Sequence, residues 1–182
     1  MCALSVLACS QQVAGNTLSA RSIEVEVKTD KVLYSVGEPI HYTVLLTNRG
    51  SSPIYIAKSF FSSGGGIAGF DLSVKQTLGK KSTTNCFLAA DRFGDKEGRT
   101  AKQILQEDFL SLAPGGIVGF TAIYQSCAIE FEGSYELTAT YCPCDLNMEK
   151  AQAAAEQEGT QIITKSIQSK PWTFKLRADP QH

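Results

Sequence analysis

From residue 23 onward, apolar and polar positions alternate in short runs. Ile23, Val25 and Val27 alternate with Glu24, Glu26 and Lys28, and Ile40, Tyr42, Val44 and Leu46 with His41, Thr43, Leu45 and Thr47. The same period of two recurs at Phe70, Leu72 and Val74, at Tyr135, Leu137, Ala139 and Tyr141, and at Trp172, Phe174 and Leu176. Such a period marks a strand with one face buried. Ile54 and Ile56 open a further strand. Residues 117–124 are apolar on both faces, which predicts a strand at the centre of a sheet. Turn segments separate the runs: residues 34–39, from Tyr34 through Gly37 to Pro39, Asn48 through Gly50 with Pro53, and Pro114 with Gly115 and Gly116.

About seven or eight short strands at this turn density predict an all-β fold, an immunoglobulin-like antiparallel β-sandwich. Strands do not alternate regularly with helices, which excludes a doubly wound parallel sheet. The sandwich is expected over residues 23–178, after a leader of residues 1–22 and before a short tail of residues 179–182. Three insertions interrupt it: a Gly/Ser-rich one at residues 59–69, a polar one at 78–107 and a third at 145–170. The third contains a short helical insertion, with Asn147 as N-cap, an alanine-rich body and Gly159 as stop. Its apolar residues are sparse, so it needs a partner and is expected against one end of the sandwich. Tyr42, Trp172 and Phe174 are expected to stabilise the core.

Composition narrows the function classes. Seventeen Lys and Arg balance eighteen Asp and Glu, for a net charge of −1. This argues against a nucleic-acid binder, which carries a basic footprint, and against a polybasic membrane surface. No apolar run approaches the length of a transmembrane helix.

The N-terminus and the cysteines bear on compartment. Val6, Leu7 and Ala8 before Cys9 resemble the lipobox of bacterial lipoproteins, in which the cysteine is lipidated and becomes the mature N-terminus. The resemblance implies lipidation at Cys9 and a polar tether through Ser22, hence an extracytoplasmic protein of the periplasm or cell surface that meets the membrane through its lipid anchor only. No Lys or Arg precedes Cys9, so an ordinary disordered leader is the alternative. Setting Cys2 and Cys9 aside leaves Cys86, Cys127, Cys142 and Cys144, an even number suited to disulfides in an oxidising compartment. Direct pairing of Cys142 with Cys144 would close a strained ring. A strand ending at Cys142 holds its ends roughly 23 Å apart at about 3.3 Å per residue. That separates Cys127 from Cys142 and makes Cys86 the preferred partner, with Cys127 unpaired. Free buried thiols and a thiol or metal site at Cys142 and Cys144 are the other readings, although one intervening residue is tighter than a structural zinc knuckle.

A family resemblance enters at two places. Residues 34–48, from Tyr34 through Gly37, Glu38 and Pro39 to Asn48, with Pro53 through Ile56 after them, are similar to the opening of bacterial Ig-like domains. Comparable openings occur in macroglobulin-type repeats and in domains like the intracellular proteinase inhibitor of Bacillus. Leu112 through Gly115, followed by Gly133 through Tyr141, looks like their penultimate strands. The resemblance implies the sandwich and, as one option, a proteinase inhibitor. No inhibitory residue carries over.

Other candidate chemistry is weaker. Gly64, Gly66 and Gly69 satisfy the spacing of a dinucleotide loop, yet strand alternation rather than a helix follows them, so no cofactor is expected. His41 falls on the solvent side of its strand, which argues against a nucleophile–histidine pair and leaves no catalytic residue to name. Asp91, Asp95 and Glu97 lack the order of a calcium loop, and no metal site is assigned. Phe60 and Phe61, beside Gly64, Gly65 and Gly66, form a binding-loop candidate, with burial of at least one ring in the core as the competing role. Together these features predict a non-enzymatic binding or assembly module, a lipid-tethered protein with a protein partner. A proteinase inhibitor and a thiol or metal carrier are the alternatives.

Overall fold

A computed structural model describes residues 23–57, 70–79, 98–124, 129, 131–141 and 148–178. In chain order these form β1 (Ile23–Thr29), β2 (Leu33–Ser35), β3 (Ile40–Asn48), β4 (Ile54–Ala57), β5 (Phe70–Gly79), α1 (Ala101–Asp108), β6 (Phe109–Leu112), β7 (Ile117–Tyr124), β8 (Gly133–Tyr141), α2 (Met148–Gln157), β9 (Gln161–Ile162), β10 (Ile167–Gln168) and β11 (Trp172–Arg177). The chain is mostly β, as the alternation predicts. Among the described residues no helix is long and apolar enough to cross a membrane.

The first sheet is antiparallel, in the order β1-β3-β7. Its register runs without a break from Ile23 opposite Asn48 to Thr29 opposite Tyr42, and from Ile40 opposite Tyr124 to Thr47 opposite Ile117. The second sheet centres on β8. One edge of β8 takes β5 along its length, and the other takes β11 at residues 133–137 and β10 at residues 140–141. The short β2 adds to β11 in parallel. A third, small sheet has the order β6-β4-β9.

Period-two burial places Val25, Val27, Tyr42, Val44 and Leu46 of the first sheet in one core with Leu72, Tyr135, Leu137, Tyr141 and Phe174 of the second. Aromatic rings bridge the sheets: Phe70 of β5 meets Phe120 of β7 at 5.8 Å between centroids, and Phe120 meets Tyr42 edge-on at 6.1 Å. Offset and edge-on contacts of this kind add to area burial. The void between Val44, Ile56, Phe70 and Phe120 is only about 10 Å³, room for one water at most.

Four expectations are corrected. β7 is an edge strand rather than a central one: Ile117 is 61% exposed and Ile123 45%. Its second apolar row faces solvent, where period alone cannot place it. The described residues alone form eleven strands, not seven or eight, because β2, β6, β9 and β10 are two to four residues long, too short to display a period. Residues 34–39 are not a turn throughout, since Tyr34 and Ser35 pair with β11. The polar insertion at 78–107 contains α1, whose N-terminus is closed by a capping box: Thr100 Oγ1 accepts from the Gln103 N–H, and the Thr100 N–H donates to Gln103 Oε1.

The helix expected to stop at Gly159 is α2. Gly159 adopts φ +68°, its N–H donates to the Glu156 carbonyl at 3.1 Å, and the Thr160 N–H donates to the Ala155 carbonyl at 2.9 Å. This is a Schellman closure. Asn147, expected as its N-cap, lies outside the described residues. α2 packs on α1 and β9, and the small Ala151, Ala154 and Ala155 are buried there with Ile104 and Leu105. That packing supplies what so apolar-poor a helix lacks alone.

Candidate functional site

Cys9, Cys86, Cys127, Cys142, Cys144, Phe60, Phe61, Gly64, Gly65 and Gly66 lie outside the described residues. So do Asp91, Asp95 and Glu97. The strand ends that carry several of them are defined. Phe70, which opens β5 after the 58–69 segment, pairs with Tyr141, which precedes Cys142. The Tyr141 hydroxyl accepts from the N–H of Ala57 at 3.5 Å, where β4 enters that segment. The candidate binding loop and the Cys142–Cys144 pair are therefore rooted at one corner. Ile129 and Phe131, which follow Cys127, approach the other end of β8, where Gly133 pairs with Gly79. His41 is exposed on β3, as the alternation predicts. Among the described residues no group of three His, Cys, Asp or Glu side chains is placed to hold a metal ion.

The described residues assemble a site elsewhere, along the outer edge of β1. Asp30 N–H donates to the His41 carbonyl at 3.0 Å, which fixes the phase of the β1–β3 ladder. In an antiparallel pair the bonding direction alternates residue by residue. Glu24, Glu26 and Lys28 thus turn their peptide groups toward β3, and Ile23, Val25, Val27 and Thr29 turn theirs outward. β1 stands at the end of its sheet, so that row of donors and acceptors meets no strand among the described residues.

A groove of about 640 Å³ runs beside this edge. β1 forms one side, and Ile167, Gln168, Lys170, Pro171 and Trp172 form the other. Ser169 secures that second wall: its N–H donates to the Ala139 carbonyl at 2.8 Å, and its hydroxyl accepts from the Ala139 N–H at 3.0 Å. Trp172 is half-buried, with its indole N–H bonded to Thr29 Oγ1 at 2.9 Å. It was expected in the core, and it serves the core with one face and the groove with the other. On the outer rim Glu24 pairs with Arg49 at 2.7 Å, while Glu26 and Lys28 project into solvent.

The chain leaves β1 through a compact polar turn. Tyr34 donates to the Asp30 carboxylate, Lys31 pairs with Glu38, and Glu38 accepts from the Ser35 N–H at 3.0 Å. The Tyr34 bond holds the Asp30 carboxyl below its usual range, and burial pushes the Tyr34 phenol up. This turn sets where β1 ends and where β2 crosses to the second sheet.

Sequence reasoning missed this site for a definable reason. Alternation identifies the buried face of a strand but not whether another strand lies beside it. The one available signal was Pro171, which has no N–H to give a ladder and favours the start or edge of a strand.

No family model matches the chain, and no curated protein matches it in sequence. Among solved structures it is similar to the Pseudomonas fluorescens alkylpurine DNA glycosylase AlkC bound to DNA containing an abasic site analog, with a TM-score of 0.42 and 9% identity over 86% of this chain and 31% of that one. It is also similar to the Salmonella enterica SafA pilin in complex with the SafB chaperone, with a TM-score of 0.31 and 13% identity over 86% of this chain and 55% of that one. The chain thus spans about a third and about half of the two, and neither likeness points to a macroglobulin-type or proteinase-inhibitor domain.

Proposed function

We propose that this chain is a non-enzymatic binding or assembly module on an immunoglobulin-like sandwich, tethered outside the cytoplasm through a lipidated Cys9. The strand order supports the immunoglobulin-like reading. β1-β3-β7 facing β5-β8-β11 corresponds to the A-B-E and C-F-G strands of that fold. It departs from the pattern where β4 pairs with β6 and β9 in a separate sheet instead of extending the first sheet beyond β7. Among the described residues no strand pairs with the outer edge of β7 or of β1.

The observation that carries the binding reading is the groove beside β1, where peptide groups that meet no strand among the described residues face a mixed wall, apolar at Ile167, Pro171 and Trp172 and polar at Gln168 and Lys170. Phe60, Phe61, Gly64, Gly65 and Gly66, rooted between β4 and β5, are the candidates for a second contact. The test is a photoreactive amino acid placed at Glu26, with Lys75 on β5 as the control position, in cells that express the full chain. A discrete protein adduct from position 26 that is missing from position 75 is the expected result. Absence of an adduct at 26, or the same adducts from both, overturns the reading. Intact mass of the same preparation checks the diacylglycerol addition at Cys9.

A further inference from the structure

Resting on that reading, we infer that the β1 edge takes a single extended polypeptide segment as an added antiparallel strand, with side chains ordered acidic, apolar, basic, apolar from its N-terminus. The free edge calls for a strand: Ile23, Val25, Val27 and Thr29 offer donors and acceptors at the spacing of a ladder, and only an extended backbone satisfies them all. Among the described residues the other long edges are weaker: β5 has a register shift between Gln76 and Leu78, and β7, though in unbroken register, carries at its middle Gly119, which has no side chain to pack. β1 has seven residues in unbroken register, with neither Pro nor Gly. Natural edges are blunted by bulges, prolines and charged side chains; β1 has neither bulge nor proline, and its charges, Glu24, Glu26 and Lys28, are of mixed sign and select among partner strands.

The groove and its rim define the occupant. Side chains opposite Val25 and Val27 would point inward onto Ile167, Pro171 and Trp172, which calls for apolar residues at alternate positions. Side chains opposite Glu26 and Lys28 would point outward beside exposed charges of opposite sign. Glu24 is already matched by Arg49, so positions 26 and 28 set the order. Opposite charges on facing residues stabilise a strand pair and like charges oppose it. An antiparallel partner, in keeping with the all-antiparallel first sheet, thus reads acidic opposite Lys28, apolar opposite Val27, basic opposite Glu26 and apolar opposite Val25. A second copy of β1 would bring its own second sheet into the space that Trp172 and Pro171 line here. The fitting occupant is a strand with no sheet beneath it.

The test uses the isotope-labelled full chain and two ten-residue Thr/Val peptides, one with Asp-Val-Lys-Val at its centre and one with Lys-Val-Asp-Val. Amide exchange is followed residue by residue. The first peptide is expected to slow exchange at Ile23, Val25, Val27 and Thr29 while leaving Glu26 and Lys28, already bonded to β3, unchanged. It should bind about tenfold more tightly than the second, and the E26K/K28E double variant should reverse the preference. Equal binding of the two peptides, a preference for Lys-Val-Asp-Val by the unaltered chain, or binding without protection of the four outward amides overturns the inference. Protection that appears without peptide and vanishes on dilution also overturns it, in favour of a second copy. A position-26 adduct with no amide protection removes the strand and leaves the binding module; loss of both removes both.

Discussion

The indole N–H of Trp172 donates to Thr29 Oγ1 at 2.9 Å, joining the start of β11 to the end of β1 across the two sheets. The Thr29 hydroxyl in turn donates to the Lys31 carbonyl. One bond therefore ties the wall of the groove to the strand whose edge forms its other side. Trp172→Phe keeps most of the apolar surface and removes the donor. It is expected to cost about 1 kcal/mol, the net worth of a typical hydrogen bond. Thr29→Val removes the acceptor, and the double variant should cost less than the sum of the two. Urea denaturation of the four proteins measures the coupling. Additive losses would show that the bond contributes nothing beyond the packing of the ring.

Tyr42 is 1% exposed, and its hydroxyl has no hydrogen-bond partner among the described residues. Burial pushes its pKa up to about 12, with a smaller contribution from Tyr124. Below pH 10 the phenol is neutral in both folded and unfolded chains. Between pH 10 and about 12 the unfolded chain loses this proton while the folded one keeps it, so stability falls as pH rises through that window. The shift of two units corresponds to about 2–3 kcal/mol at completion. Tyr42→Phe should leave stability at pH 7 unchanged or raise it by about 1 kcal/mol, because an unsatisfied polar atom leaves the core. It should also flatten the alkaline slope, read from urea midpoints at pH 8, 10 and 11. An unchanged slope would place the titrating phenol elsewhere.

The two helix ends separate two kinds of cost. At α1, Thr100→Ala removes the side-chain acceptor for the Gln103 N–H and should cost about 1 kcal/mol, whereas Thr100→Ser should cost far less. At α2, a Cβ on Gly159 meets nothing within 4 Å, yet the residue holds φ +68°. Gly159→Ala should therefore lose about 1 kcal/mol through backbone strain alone. Gly159→Asn, better tolerated in the left-handed region, should recover part of it. Thermal midpoints of the four variants check both; equal losses for Ala and Asn at position 159 would contradict the strain account.

What the residues reveal in sequence is the inward face of each strand. Val25, Val27, Leu72, Leu137 and Phe174 are buried where the period of two puts them, and His41 is exposed where it puts it. What they conceal is lateral order. Ile117 and Ile123 look like the second buried face of a central strand, but both are exposed, with no sheet over them among the described residues. The two-residue strands β9 and β10 are defined by pairing with Ile54 and Tyr55 and with Thr140 and Tyr141, partners far away in the chain. α1 had a readable start in Thr100 and Gln103, hidden by an otherwise polar segment in which only Ile104 and Leu105 reach the core. The groove joins residues 23–29 to residues 167–172, and nothing local in either segment announces the other. Hence the sequence candidates gathered on loops and cysteines, while the described site lies on a strand edge.

Gly119 offers a way to perturb the first sheet from the strand farthest from β1. A Cβ on it would run into the Val44 carbonyl oxygen and Leu45 Cδ2 of the neighbouring strand. The carbonyl belongs to a ladder that cannot move without disturbing β3, so Gly119→Ala should destabilise by about 1–3 kcal/mol, the usual range for overpacking. Because Leu45 is the movable half of the clash, Leu45→Ala should relieve part of the loss, and the double variant should be more stable than additivity predicts. The β1 edge lies across β3 from this site, and its outward peptide groups should keep their exchange behaviour in folded Gly119→Ala protein. Amide exchange of Val25 and Val27, measured with the urea midpoint, tests both statements. A large change at Val25 without loss of global stability would mean that β7 and β1 are coupled through β3, and that the groove responds to the opposite edge of its own sheet.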